Sequence, residues 1–262
     1  MKTPEKEVST CISSRCTRTA ASASAMSLLD SPFFPIVGVI LSNALYFSSV
    51  PVVYNAYQTS HLAPLNVLPL AIMVLSCIGW MSYALAVPNI YIMLSNLPGT
   101  VVAVGYVMVT LPLIPNHDRS SRVQVQMTLV VGSALLLCLW SALVFGGASH
   151  SQTTFILGAY GSFICVIMFA SPLSTMGEVI RTGNAASIYA PLTATQVSNC
   201  LMWTCYGLAI GDVWVYGPNG TGLALGLVQL ALKLSYPSVP GEAAREHAHL
   251  KDSCSDSDAE RP

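Results

Sequence analysis

NCLMWTCYGLAIGDVWVYGPNGTG, residues 199–222, decides the fold because the chain carries an earlier copy of it. Cys77, Trp80, Tyr83, Leu85, Asn96 and Gly99 recur as Cys200, Trp203, Tyr206, Leu208, Asn219 and Gly222, all at a spacing of 123 residues. Six identities at one offset exceed what an apolar composition supplies by coincidence, and a repeat fixes architecture before local patterns do. The stretch is apolar enough for a membrane, yet it holds amides, tryptophan and a glycine-rich kink. The chain reads as a duplicated membrane protein.

Composition agrees. Of 262 residues, 53% are hydrophobic and 9% charged, with a mean hydropathy of +0.60, whereas soluble domains carry about 25% charged residues. No Lys or Arg occurs between Arg18 and Arg119, and no Asp or Glu between Asp30 and Asp118. A soluble fold would need charge on so long a surface. The net charge of −1 says nothing about partners, and with no basic patch a nucleic-acid partner is not expected. Cys77, Cys138, Cys165, Cys200 and Cys205 lie in apolar runs and read as small residues at helix contacts rather than disulfides or metal ligands. Cys11 and Cys16 lie in a polar tail. With no CxxC, HExxH, phosphate loop or nucleophile–base pair, neither an enzyme nor a cofactor is expected.

A spanning helix needs roughly 20 apolar residues. Seven segments qualify, at about 34–56, 67–87, 90–113, 126–147, 153–173, 188–210 and 213–235. The fourth has no duplicate partner, so the expected fold is all-α with seven transmembrane helices: two three-helix repeats joined by a linker helix (3+1+3). The divisions are a disordered tail at 1–33, a first repeat at 34–113, the linker and its loops at 114–150, a second repeat at 151–235 and a disordered tail at 236–262. The first tail holds no apolar stretch long enough for a cleaved signal peptide, so none is expected, and Met26 is an alternative start just ahead of the first apolar run. In the second, Ser255 and Ser257 each precede an acidic residue by three positions, a pattern for acid-directed kinases. One inversion helix between odd-numbered repeats makes the repeats parallel. Arg119, Arg122, Arg181, Lys233, Arg245, Lys251 and Arg261 follow the odd-numbered helices, which puts the C-terminus in the cytoplasm and the N-terminus outside.

Asn96 and Asn219 each open an N-x-x-G element early in the third helix of a repeat. An amide in hydrocarbon is costly unless paired. Helix–helix bonding would account for either one alone. Their duplication favours a facing pair that offers donors and acceptors to the hydroxyls of one neutral ligand. Trp80 and Trp203, four residues after Ser76 and Asn199, fall near mid-span rather than at the interface where tryptophan anchors, at a depth that suits stacking on a pyranose. Pro51, Pro69, Pro172 and Pro191 lie within or at the start of spans and read as hinges. The only acidic candidates for the spans themselves are Glu178 and Asp212, both at helix ends. Ion coupling draws on intramembrane ionisable groups, so a facilitator of a neutral solute is expected.

These residues resemble the SWEET (MtN3/saliva) family of sugar transporters. The likeness rests on ASPLSTMGEVIRTGN and the 199–222 stretch with its continuation LALGLVQL. It is weaker in SSVPVVYNAYQTS, LPLAIMVLSCIGWMSYAL and SNLPGTVVAVGY, and it covers about 34–235. SWEET proteins are themselves the standard case of a parallel repeat, so the resemblance and the repeat geometry are one support, not two. The resemblance implies a bidirectional uniporter of mono- or disaccharides that works by alternating access, often as a homo-oligomer, in the plasma membrane or else a vacuolar or other internal membrane. It implies sugar binding by Asn96 and Asn219, a pocket lined by Ser76, Trp80, Asn199 and Trp203, and a proline tetrad. Phe47 and Met168, each four residues before a proline, match positions that set pocket width, and their bulk favours hexoses over sucrose. Departures are Ala103 and its neighbours where the family has an acid, a displaced Pro191, and no lysine after the first and fifth helices. Rival readings are a proton-coupled PQ-loop amino-acid transporter, disfavoured by the missing Pro-Gln dipeptide and mid-span acid, a seven-helix receptor, disfavoured by the duplication, and a membrane scaffold.

Overall fold

A computed structural model describes residues 32–62 and 65–239. Met26, Cys11, Cys16, Ser255, Ser257 and the basic residues of both tails lie outside the described residues. Among the described residues the regular structure is helical: α1 Phe33–Phe47, α2 Val50–Thr59, α3 Leu68–Ala86, α4 Ile90–Thr110 with a 3-10 turn at Leu111–Leu113, α5 Arg119–Phe145, α6 His150–Met168, α7 Ala170–Thr182, α8 Ala190–Ala209 and α9 Val213–Ser235. α1 with α2, and α6 with α7, are broken rods, so the helices form seven rods in the 3+1+3 order. Five are long and apolar enough to cross a membrane: Phe33–Thr59, Leu68–Ala86, Ile90–Leu113, Arg119–Phe145 and His150–Thr182. α8 and α9 miss that threshold because Thr193, Gln196, Asn199, Asn219 and Gln229 dilute them, and all five line an internal cavity.

Capping explains the boundaries, including two that differ from the hydropathy reading. α5 begins at Arg119 rather than near 126, because the Asp118 carboxylate accepts from the Ser121 N–H and opens the helix ahead of its apolar part. The Ser121 contacts also hold that exposed carboxyl below the ordinary carboxylate range. Arg119 and Arg122 therefore sit on a helix, not in a loop. α7 runs on to Thr182 rather than ending near 173, since nothing breaks it before Gly183, whose φ of 64° makes a left-handed cap. Ser149 and Gln152 start α6 as a reciprocal capping box.

The repeats interlock. α1 of the first packs against α8 of the second, and α6 of the second against α3 of the first, while each also packs on the third helix of its own repeat. Close approach rests on glycine at equivalent positions. A Cβ on Gly38 would lie 3.0 Å from the Trp203 ring, and one on Gly161 3.3 Å from that of Trp80. In lipid, where apolar burial gains little over the solvent, such small-residue contacts hold helices together. The linker α5 lies outside, against α3 and α6, and Cys138 on it is exposed, which corrects its reading as a contact residue. Cys77 and Cys200 are buried.

Candidate functional site

Between the repeats lies a cavity of about 580 Å³, within the usual range for small-molecule sites. Ser76, Trp80, Asn96, Met168, Asn199, Trp203 and Asn219 line it, as does Pro172. Phe47 does not: it is 49% exposed at the end of α1, and Leu45 and Tyr46 form the wall there. The reason is the helix break. α1 runs on to Phe47, two residues past Leu45, whereas α6 ends at Met168, the counterpart of Leu45. Counting back from the prolines pairs Phe47 with Met168, whereas the 123-residue register pairs Leu45 with Met168, and both of those face the cavity. Pro51 is the second residue of α2, just past its break, and Pro172 the third of α7. Pro69 and Pro191 open α3 and α8, where a missing N–H removes no internal bond.

Each tryptophan sits in a seat supplied by the other repeat. The Trp203 Nε1–H donates to Ser42 Oγ at 3.0 Å, and Ser42 donates onward to Asn199 Oδ1 at 2.9 Å. Asn199 thus turns its amide carbonyl to α1. The counterparts of Ser42, Asn199 and Trp203 are Cys165, Ser76 and Trp80, so the second seat has a thiol where the first has a hydroxyl, and Cys165 and Ser76 also line the cavity. Ser42, Tyr46, Cys165 and Phe169 escape a reading centred on 199–222. Carrying the same offset back into the first helices pairs Ser42 with Cys165 and Tyr46 with Phe169, but neither pair is an identity that would single it out.

Pro98 and Pro218 lie inside α4 and α9, beside Asn96 and Asn219. Proline leaves the carbonyl four residues earlier without its helical donor. For Pro98 that is Leu94, and Asn43 of α1 donates to its oxygen at 3.4 Å.

One end of the cavity is tied shut. Tyr83 donates to Asp212 Oδ2 at 2.7 Å, and Asn89 Nδ2 donates to Tyr206 at 2.8 Å. These bonds are images of each other under the repeat, since Tyr83 corresponds to Tyr206 and Asn89 to Asp212. Asn89 and Asp212 also cap α4 and α9 by accepting from two backbone N–H groups each. Asp212 therefore lies outside the cavity lining, already holding three donors. Exposure rises the other way, from Trp203 at 6% to Tyr189 at 69% on the same wall. The mouth is at the end bearing the 183–189 turn.

The sequence profile described as "Sugar efflux transporter for intercellular exchange" (MtN3/saliva) matches residues 32–118 and again 155–240. The chain is 28% identical over 206 residues to the bidirectional sugar transporter SWEET7b of Oryza sativa subsp. indica, covering 77% of this chain and 76% of the relative. It is 32% identical over 165 residues to the sugar transporter SWEET1 of Dictyostelium discoideum, covering 63% and 74%. It matches the 3.7 Å structure of a eukaryotic SWEET transporter with a TM-score of 0.67 and 26% identity, covering 76% of this chain and 93% of that one.

Proposed function

The chain belongs to the SWEET (MtN3/saliva) family of integral membrane proteins, and on that premise we propose that it is a facilitative, bidirectional sugar uniporter. The observation that carries this reading is the central cavity, which lies on the repeat boundary and is walled by paired amides and indoles with no ionisable carboxylate in its lining. Amide groups offer both donors and acceptors to hydroxyls, and indole faces offer an apolar wall to the C–H face of a pyranose. Asp212 sits at the tied end and is satisfied by three donors, which disfavours a proton-coupled rival. Asn219, Asn96, Asn199, Trp80, Trp203, Ser76 and Met168 are the proposed sugar contacts.

In this reading the described conformation is one end state of alternating access. By the distribution of Arg119, Arg122, Arg181 and Lys233 its mouth faces the cytoplasm. The plasma membrane is the proposed location, and hexoses are the proposed substrates over sucrose, with Leu45 and Met168 the wall residues that set the width in this reading.

Uptake of labelled glucose and, separately, sucrose into proteoliposomes tests this, with and without a pH gradient and with counterflow. Saturable glucose flux indifferent to the gradient is the expected result. Flux that vanishes without the gradient would favour the coupled reading. Asn219→Ala should abolish flux while leaving a folded protein in the membrane, and normal transport by that variant would remove Asn219 from the pocket.

A further inference from the structure

Asn96 and Asn219 are equivalent by sequence but not by hydrogen bonding. Asn96 is buried, and its two N–H groups donate to the Ile92 carbonyl and to Ser95 Oγ, both at 2.9 Å. Its Oδ1 accepts from the Tyr46 hydroxyl at 3.2 Å. Asn219 donates once, to the Val215 carbonyl at 2.8 Å, the image of the Ile92 bond. Its other partners are gone because the duplicate differs at two positions. Pro218 stands where Ser95 stands, and Phe169 where Tyr46 stands. Neither replacement carries a hydroxyl.

The aromatic pair occupies equivalent places. A Cβ on Gly99 would lie 2.5 Å from the Tyr46 ring, and one on Gly222 3.4 Å from that of Phe169, so each ring covers the N-x-x-G glycine of its own repeat. Tyr46 is further fixed by its backbone carbonyl, which accepts from the Tyr106 hydroxyl at 2.9 Å. Both rings line the cavity. Between the two rings, one phenolic oxygen is the difference.

Resting on the sugar reading above, we propose that Tyr46 is a specificity-determining residue that makes this site one-sided. Its hydroxyl occupies the Asn96 acceptor as a ligand hydroxyl would. The sugar is therefore hydrogen-bonded chiefly by Asn219, whose Oδ1 and second N–H are open to the cavity, while Asn96 contributes shape. A buried acceptor left without a donor is destabilised, so a ligand donor that can reach it is favoured. Removing the phenol thus invites a sugar hydroxyl onto Asn96, and adding one at Phe169 competes for Asn219.

The test is glucose transport kinetics in proteoliposomes for the unaltered protein, Tyr46→Phe, Phe169→Tyr and each combined with Asn96→Ala. Tyr46→Phe should lower KM about fivefold, the effect of one net hydrogen bond, and Phe169→Tyr should raise it by about the same factor. Asn96→Ala should cost more affinity in the Tyr46→Phe background than in the unaltered protein. A purely structural tyrosine would instead reduce the amount of folded protein or Vmax and leave KM alone. KM unchanged in both single variants, with flux intact, overturns the inference and leaves the sugar reading standing. Absence of saturable flux in the unaltered protein overturns the reading and the inference together. Should Tyr46→Phe fold poorly, Phe169→Tyr decides by itself, since its ring is already accommodated: a raised KM supports the inference and an unchanged one overturns it.

Discussion

Ser42 joins the two repeats through a single oxygen. Its oxygen accepts from Trp203 and donates to Asn199, joining α1 to α8 across the repeat boundary. Ser42→Ala leaves a buried indole N–H and an amide oxygen without partners, at a cost of about 1–3 kcal/mol. It should lower the thermal midpoint in detergent and weaken sugar affinity together, and an unchanged midpoint would show the network to be dispensable. Ser42→Cys, which copies the Cys165 seat, should recover part of both. Glycine at the same crossing gives an independent check. At Gly38 an added methyl would sit 3.0 Å from the Trp203 ring, against 3.3 Å from the Trp80 ring at Gly161. Gly38→Ala should therefore displace its indole and impair transport more than Gly161→Ala does, as parallel flux assays on the two variants would read. The residues of 199–222 were legible because both copies keep them. Ser42 was not, since its counterpart is a cysteine and the pairing shows only after α1 and α6 are placed against the opposite repeat.

At the scale of elements, each of the seven apolar segments falls on a rod, since lipid demands apolar length, although α8 and α9 are diluted by the polar residues they turn to the cavity. Hydropathy could not show that the first and fifth rods break. Broken helices keep the same apolar composition, and α1 runs two residues further than its counterpart α6, which puts Pro51 two residues past the position that the 123-residue register gives Pro172. The breaks also sort the four prolines by position. Pro51 and Pro172 follow an interruption inside a rod, where neighbouring helices must satisfy freed groups and a pivot is feasible. Pro69 and Pro191 start α3 and α8 in the first turn, where proline fits without strain. Pro172→Ala should stiffen the α6–α7 junction and lower Vmax several-fold at nearly constant KM. Pro69→Ala should leave Vmax within about twofold of the unaltered protein, as surface-like first-turn changes do. Equal Vmax losses in both would mean that the prolines act as one set regardless of their place in the helices.

For the whole molecule the question is what holds one end shut while the other stands open. The two ties, Tyr83 to Asp212 and Asn89 to Tyr206, cross the repeat boundary at the same end and from opposite directions. They differ in strength by chemistry: a hydrogen bond to a carboxylate is worth about 1.5–3 kcal/mol, a neutral one about 1. Since a conformational equilibrium responds tenfold to about 1.4 kcal/mol, Tyr83→Phe should raise the population open at the tied end by roughly tenfold or more. Tyr206→Phe should raise it about fivefold. The duplication itself supplies the reporter. Cys165 lines the cavity, so a membrane-impermeant maleimide added from the face carrying the 87–89 and 210–212 turns reaches it only after that end opens. Labelling followed by mass spectrometry should therefore be slowest in the unaltered protein, faster in Tyr206→Phe and fastest in Tyr83→Phe. Should all three label at one rate, the ties would be passengers of the closed end, and the packing of α1 against α8 and of α6 against α3 would have to supply the barrier alone.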